Sequence, residues 1–184
     1  MSRHNKDNFI VQDHAQRTKA FDPIRFSRYP PIVMPINWPT LPRPIIALSP
    51  MADMTDSAFC KTVKEIATPI IFREMVSAEA VVRESEKTIG MTAIHESERP
   101  LIQQIFGADP ERMADAAAII AREHSPEGID VNMGCPANKI TNNFNGAALM
   151  KEPERAMDIV RAIKNAVALP VSVKIRAGLS DHTE

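Results

Sequence analysis

The sequence predicts an α/β protein built on a parallel sheet, in the form of an incomplete (β/α)8 barrel. Three observations support this fold class. Short apolar runs alternate with helix-like stretches, polar residues stand at the carboxyl ends of successive runs, and no GxGxxG follows the first run. Alternation of this kind indicates parallel strands covered by helices. The missing GxGxxG disfavours the other candidate, an open doubly wound sheet that binds dinucleotides.

Five apolar runs are the predicted strands. They are IIALS (45–49), PIIFREM (69–75), LIQQIFG (101–107), GIDVNM (128–133) and PVSVKIR (170–176). Helices are predicted over 55–67, 77–85, 109–124 and 153–167, and Asp109 precedes Pro110 as a capping residue before a first-turn proline. A closed barrel needs eight strands and typically ~250 residues. The 184 residues therefore predict about five of the eight βα units, that is, a TIM barrel cut off before it closes.

A basic leader is predicted over residues 1–44, ahead of a barrel portion over 45–184. The leader carries seven Lys and Arg against three Asp and Glu, and residues 22–44 are rich in proline. Proline at this density predicts extended chain without a helix, and we expect the leader to be partly disordered. Two interpretations stay open: a basic arm that contacts a phosphate backbone, or a solvated leader with no partner.

Composition excludes several classes of protein. Hydrophobic residues make up 44% and charged residues 24%, as in ordinary globular domains. The polar first residues resemble no signal peptide, and no apolar stretch approaches the ~20 residues of a membrane span. Only two cysteines occur, Cys60 and Cys135, without a CxxC or a Cys/His cluster. We therefore expect no metal site and no disulfide framework, and a cytoplasmic location; the oligomeric state stays open.

Polar residues gather at one edge of the predicted sheet, where barrel enzymes build their sites. At or near the carboxyl ends of the five runs stand Met51, Glu74, Gln104, Asn132 and Lys174.

Alternation along the last two predicted strands supports a ligand at this edge. Asp130 and Asn132 share one face of their strand, and Ser172, Lys174 and Arg176 share one face of the next. A parallel strand covered by helices should be apolar on both faces. The polar faces therefore indicate a ligand, or alternatively an interior ion pair between Lys174 and Asp130.

Cys135 stands in a tight turn directly after the fourth predicted strand. Gly134 and Pro136 bracket it, and such a turn displays a side chain at the strand tip. A free thiol is mostly protonated near neutral pH and can donate a proton, whereas the thiolate is a nucleophile. Spacing alone does not choose between the two roles. Cys60 lies on the first predicted helix, where a small core residue is expected, and we assign it no role.

Five segments resemble the signature segments of the tRNA-dihydrouridine synthase family, in the family's order. They are SPMA (49–52) with Thr55-Asp56, QIFG (104–107) with Asp109-Pro110, DVNMGCPANK (130–139), GAALM (146–150) and VSVKIRAG (171–178). Together they cover residues 45–178 almost continuously. One departure is Asp53, which stands where the family often has glycine.

The resemblance implies a TIM-barrel flavoenzyme with FMN across the carboxyl mouth of the barrel. NADPH would reduce the flavin, which then delivers hydride to C6 of a uridine in tRNA. Cys135 would protonate C5, Asn132 would lie near the base or the flavin, and Glu74 and Arg176 are possible further contacts. The residues implied to contact FMN are Pro50, Met51, Ala52, Gln104 and Lys174.

Two alternatives to a tRNA enzyme stay open. The first is another FMN-barrel oxidoreductase that acts on a small pyrimidine, because its flavin contacts would look the same. The second is an inactive truncated fragment, because open sheet edges at the first and fifth strands would invite aggregation. We expect tRNA as the partner, with no membrane and no metal involved.

Overall fold

The computed structural model describes residues 34–178, which form a five-stranded parallel sheet. Neighbours in the sheet follow chain order, β1-β2-β3-β4-β5, and every pair is parallel. The strands are β1 (Ala47–Leu48), β2 (Ile70–Ser77), β3 (Leu101–Phe106), β4 (Gly128–Asn132) and β5 (Val171–Lys174). This sequential order with intervening helices confirms the predicted fold class, five units of an incomplete (β/α)8 barrel.

Six α-helices occupy the connections. They are α1 (Ser57–Ile66), α2 (Ala78–Val82), α3 (Glu86–Thr92), α4 (Pro110–His124), α5 (Asn138–Thr141) and α6 (Pro153–Ala166). The sequence predicted α1, α2, α4 and α6. It did not predict α3, which contains a glycine, nor α5, whose four residues are too few to show a helical period.

Side-chain caps start the two best-signalled helices. The Asp56 carboxylate accepts the Phe59 N–H at 2.8 Å, and the Asp109 carboxylate accepts the Arg112 N–H at 2.9 Å with Pro110 in the first turn. Each cap satisfies a backbone donor that has no partner within the helix. The predicted start of α4 at Asp109-Pro110 is therefore confirmed.

The main core lies between the sheet and helices α4 and α6. Its members share complete burial, and each large aliphatic side chain taken from water contributes roughly 1.5–3 kcal/mol. They include Ile105, Ile129 and Val131 from the strands and Met113, Ile120, Ile159 and Ile163 from the helices. The same face of β5 is less covered, since 43% of Val173 is exposed.

Residues 34–44 cover the amino-terminal end of the sheet. The Trp38 ring stacks on the Phe72 ring at 6.4 Å between centroids, and the Ile36 N–H donates to the Glu127 carbonyl at 3.0 Å. Trp38–Thr40 form one 3-10 turn, so the prediction of a helix-free lead-in over 22–44 is wrong at these residues. The reason is local: Pro39 holds φ near the helical value. The remainder of the predicted leader, 1–33, lies outside the described residues.

A buried ion pair joins β2 to the segment before β3. The Arg73 Nη2 lies 2.8 Å from the Glu98 Oε1, with side chains 3% and 0% exposed. Arg73 also donates to the Ala93 carbonyl at 3.2 Å, and the other Glu98 oxygen accepts the His95 N–H at 2.6 Å. Burial raises the pKa of the nearby Cys60 thiol, and the Arg73 charge acts in the opposite direction. Cys60 is thus a core residue, as expected.

Candidate functional site

Polar side chains on the inner face of β3, β4 and β5 form one continuous hydrogen-bonded network. Strand register sets Gln104, Asp130 and Ser172 side by side. The Asp130 carboxylate accepts the Gln104 Nε2–H and the Ser172 Oγ–H, both at 2.6 Å. The Gln104 Oε1 in turn accepts the Asn132 Nδ2–H at 3.1 Å. The structure thus brings together Asp130 and Ser172 from the two predicted polar faces, and Gln104 of β3 links Asn132 to them. The Lys174 and Arg176 side chains make no hydrogen bond to this network.

The network ends at the turn that carries Cys135. The Asn132 Oδ1 accepts the backbone N–H groups of Gly134 at 3.2 Å and Cys135 at 2.9 Å. On the other side, the Cys135 carbonyl accepts the Ala147 N–H at 3.0 Å. The Cys135 side chain is half-buried and its thiol is free. Cys135 is therefore held by backbone contacts from two directions while its side chain stays partly accessible.

Gly146 packs directly against this turn. Its φ is +58°, and a Cβ built there would lie 2.6 Å from the Cys135 carbonyl oxygen and 2.9 Å from the Ile140 Cγ2. Neither the backbone conformation nor the space suits a side chain, so glycine is required here. Gly146 of the GAALM segment thus contributes to the site because it has no side chain and can pack directly against the Cys135 turn.

Gly146→Ala is expected to displace the Cys135 turn, because the added Cβ would clash with backbone that cannot rotate away. We expect the rate of Cys135 alkylation by iodoacetamide to change severalfold, a rate that mass spectrometry of the Cys135 peptide measures. Gly90→Ala is the matched control, since no atom beyond its chain neighbours and the backbone of its own helix lies within 4 Å of its Cβ position. It should stabilise α3 by roughly 0.5–1 kcal/mol and leave Cys135 unchanged. An equal rate of Cys135 alkylation in the two variants would show that Gly146 does not hold the Cys135 turn.

Lys174 ends β5 beside the same turn. Its carbonyl accepts the Met133 N–H at 2.9 Å, and a Cβ at Gly134 would lie 3.2 Å from that carbonyl oxygen. The Lys174 side chain is exposed and forms no ion pair within residues 34–178. Burial raises the pKa of the Asp130 carboxyl; its hydrogen bonds and the Lys174 charge act in the opposite direction. The ion pair between Lys174 and Asp130 considered above is therefore not formed; strand register places Lys174 beside Asn132.

The loop after β1 brings Pro50, Met51 and Ala52 to the carboxyl edge of the sheet. Pro50 and Met51 are half-buried and Ala52 is exposed. The Thr55 Oγ1 accepts the Met51 N–H at 2.9 Å, and Thr55 is itself buried. The loop is thus folded back onto the start of α1.

Asp53 and Glu74 explain the departure from the family's glycine. Asp53 has a φ of +61°, a conformation that glycine adopts freely and aspartate tolerates better than most residues. The Glu74 Oε2 accepts the Asp53 N–H at 2.8 Å. Glu74 therefore anchors this loop.

Two features of the site were not singled out from the sequence. One is the position of Asp130 between Gln104 and Ser172, and the other is the contact of Gly146 with Cys135. Strand register decides the first, whereas a Gly-Ala-Ala run close after the Gly-Cys-Pro turn was a weak signal for the second.

Arg176 is exposed beyond β5, and its Nε–H donates to the Gly178 carbonyl at 3.4 Å.

A family model described as dihydrouridine synthase matches residues 46–184, which include the whole network and the Cys135 turn. The chain belongs to the dihydrouridine synthase family. The match begins just before β1 and therefore covers the five strands seen within residues 34–178.

Three curated relatives illustrate the similarity. The chain is similar to the "Probable tRNA-dihydrouridine synthase" of Treponema pallidum, with 41% identity over 138 residues, 72% of this chain and 41% of the relative. It is 37% identical over 150 residues to a protein of that name from Staphylococcus epidermidis, covering 80% of this chain and 45% of the relative. It is 36% identical over 150 residues to the "Probable tRNA-dihydrouridine synthase 2" of Bacillus subtilis, covering 80% of this chain and 46% of the relative. The chain thus spans less than half the length of these relatives.

Residues 34–178 show neither a membrane-spanning helix nor a cluster of metal-binding side chains. Over 34–178, none of the helices is long and apolar enough to pass through a membrane. In the same range, His, Cys, Asp and Glu side chains do not gather in threes as metal ligands would.

Proposed function

We propose that the full-length protein is a tRNA-dihydrouridine synthase that reduces uridine in tRNA to 5,6-dihydrouridine with FMN and NADPH. Family membership and the names of the relatives support the reaction class. The observation that carries the proposal is the placement of Cys135. Its half-buried thiol lies on a turn fixed by Asn132 and Gly146, at the edge where Lys174 ends β5.

The residues at this edge suit a flavin ring. Ala52 and Lys174 are exposed at the carboxyl ends of β1 and β5, and the buried network lies on the strands between them. Bound FMN would supply the hydride that adds to C6 of uracil. Lys174 would place a positive charge beside the ring and so favour its reduced, anionic form. Pro50, Met51 and Ala52 would contact the ring from the other side, and Gln104 keeps a second amide N–H for it.

Cys135 would complete the reduction by donating its proton to C5. The added hydride and proton convert the C5–C6 double bond to a single bond, and the thiolate then takes a proton from water. A positioned acid of this kind typically contributes 10²–10⁴-fold to a rate. Asn132 would hold the turn in place through the Cys135 N–H, and its position makes it a candidate contact for the base.

The target base must leave its stack to reach this thiol. Enzymes that act on a base inside folded nucleic acid extrude it into a pocket, at a cost of a few kcal/mol. The half-buried Cys135 is accessible to such an extruded base but not to a base stacked in a helix. This requirement favours flexible loops of tRNA as substrate.

A substrate comparison tests the proposal. The flavin-loaded full-length protein is mixed with NADPH and either unmodified tRNA, free uracil or orotate, and NADPH consumption is followed. We expect turnover with tRNA and little with the free pyrimidines. The reverse preference would favour the runner-up, an FMN-barrel oxidoreductase that acts on a small pyrimidine.

Lys174→Met is expected to weaken flavin binding or to slow flavin reduction by NADPH, because the positive charge beside the ring is lost. Flavin content after purification and stopped-flow reduction measure the two effects. Lys87→Met, an exposed lysine on α3, removes the same charge away from the site and should leave both unchanged. Wild-type flavin content and reduction rate in Lys174→Met would leave Lys174 without a role in the site.

A further inference from the structure

We propose that Asp130 is a positioning residue, which sets the orientation of the Gln104 and Asn132 amides and through them holds the turn that carries Cys135. The Asp130 side chain forms its hydrogen bonds with Gln104 and Ser172 and none with Cys135 or its turn. The inference deepens the proposed function by adding a residue behind the proton donor, but its main test does not depend on activity.

The orientation of the network follows from its two ends. At one end the Gly134 and Cys135 N–H groups, at 3.2 and 2.9 Å, can only donate, so the Asn132 oxygen must face them. The Asn132 NH2 must then face Gln104, which presents its oxygen at 3.1 Å and turns its own NH2 toward Asp130. The far end must therefore supply an acceptor.

Asp130 supplies that acceptor. Its two carboxyl oxygens accept the Gln104 Nε2–H and the Ser172 Oγ–H at 2.6 Å each. The backbone N–H groups at one end can only donate, and the Asp130 carboxyl oxygens accept at the other end, so both ends favour the same direction of hydrogen bonding. The two amides between them, each of which could turn over by itself, are thus held in one orientation.

Burial of these side chains makes any other orientation of the two amides unfavourable. Asp130 and Gln104 are each 1% exposed and Asn132 is 7% exposed, so water does not readily replace a lost partner. An amide left with donors facing donors would be costly in such surroundings. The Asn132 side chain also donates to the Met75 Sδ at 3.0 Å, a weak acceptor that does not oppose this orientation.

Hydrogen exchange at the Gly134 and Cys135 amides tests the proposal in the full-length protein. Asp130→Leu removes the acceptor and should speed exchange at these two amides by on the order of tenfold, the equivalent of one hydrogen bond. Asp130→Asn keeps an oxygen for the Gln104 NH2 and should retain most of the protection. The Ile129 amide, bonded to the Pro170 carbonyl at 3.0 Å, reports whether β4 stays paired and should exchange as in the wild type.

A double variant separates action through Asn132 from general loosening. In an Asn132→Ala background the route from Asp130 to the turn is cut, so Asp130→Leu should add no further acceleration at Gly134 and Cys135. Additive effects of the two substitutions would overturn the proposal, as would wild-type exchange in Asp130→Leu. Equal acceleration at Ile129 would also overturn it, since that pattern indicates loss of strand pairing. Because exchange needs no substrate, a failure of tRNA reduction would count against the proposed function and leave this test intact.

Discussion

Cys135→Ala is expected to lower uridine reduction in tRNA by about 10²–10⁴-fold while the protein keeps its flavin. The thiol is the proposed source of the C5 proton, and alanine has no proton to give. The turn itself should survive, because Asn132 and Ala147 hold it through backbone atoms of residue 135. Dihydrouridine formed per minute and flavin content after purification are the two measurements.

Cys60→Ala is the matched control, since Cys60 is the other cysteine of the chain and is fully buried on α1. It should cost stability through lost packing and leave the rate of tRNA reduction close to that of the wild type. Wild-type turnover in Cys135→Ala would remove Cys135 from the chemistry, whatever the control shows.

Glu98→Ala is expected to lower the free energy of unfolding by about 3–5 kcal/mol, because it leaves the Arg73 guanidinium buried without its charge partner. The loss of stability is larger because the His95 N–H also loses its acceptor, the Glu98 Oε2. Urea denaturation of the full-length protein, followed by circular dichroism, measures the change.

Glu96→Ala provides the comparison for this prediction. Glu96 pairs with Arg99 at 3.2 Å, but its side chain is 72% exposed, so the pair should contribute no more than about 1 kcal/mol. If the two variants lost equal stability, burial of the Arg73–Glu98 pair would not be what makes it important. Replacing both partners, as in Arg73→Met with Glu98→Leu, should recover much of the loss, because no charge is then buried alone.

The strand–helix order could be predicted because each unit has a local signal. Apolar runs separated by capped helices give β2 to β5 and α4 within a few residues of their observed bounds. The irregularity in β2 has no such signal: Arg73 pairs with Gln103 and Val76 with Ile105, so one extra residue lies between them. A reading with period 2 cannot detect this bulge. Glu74 was expected near the carboxyl end of its strand because the predicted run stops at residue 75, whereas β2 continues to Ser77.

The candidate site could be predicted in part for the same reason. Alternation placed Asp130 and Asn132 on one face, and the structure agrees. Alternation does not reveal the register between neighbouring strands, so the partners of Asp130 were not predictable. Register sets it beside Gln104 and Ser172, and Lys174 comes beside Asn132 instead.

The nucleoside content of tRNA after reaction tests the proposed function most directly. An unmodified tRNA transcript is incubated with NADPH and the flavin-loaded full-length protein, digested to nucleosides and analysed by mass spectrometry. We predict that dihydrouridine appears, a uridine that has gained two hydrogen atoms, and that it is lost in Cys135→Ala. Reduction of the bound flavin by NADPH without any dihydrouridine in the tRNA would contradict the proposed function.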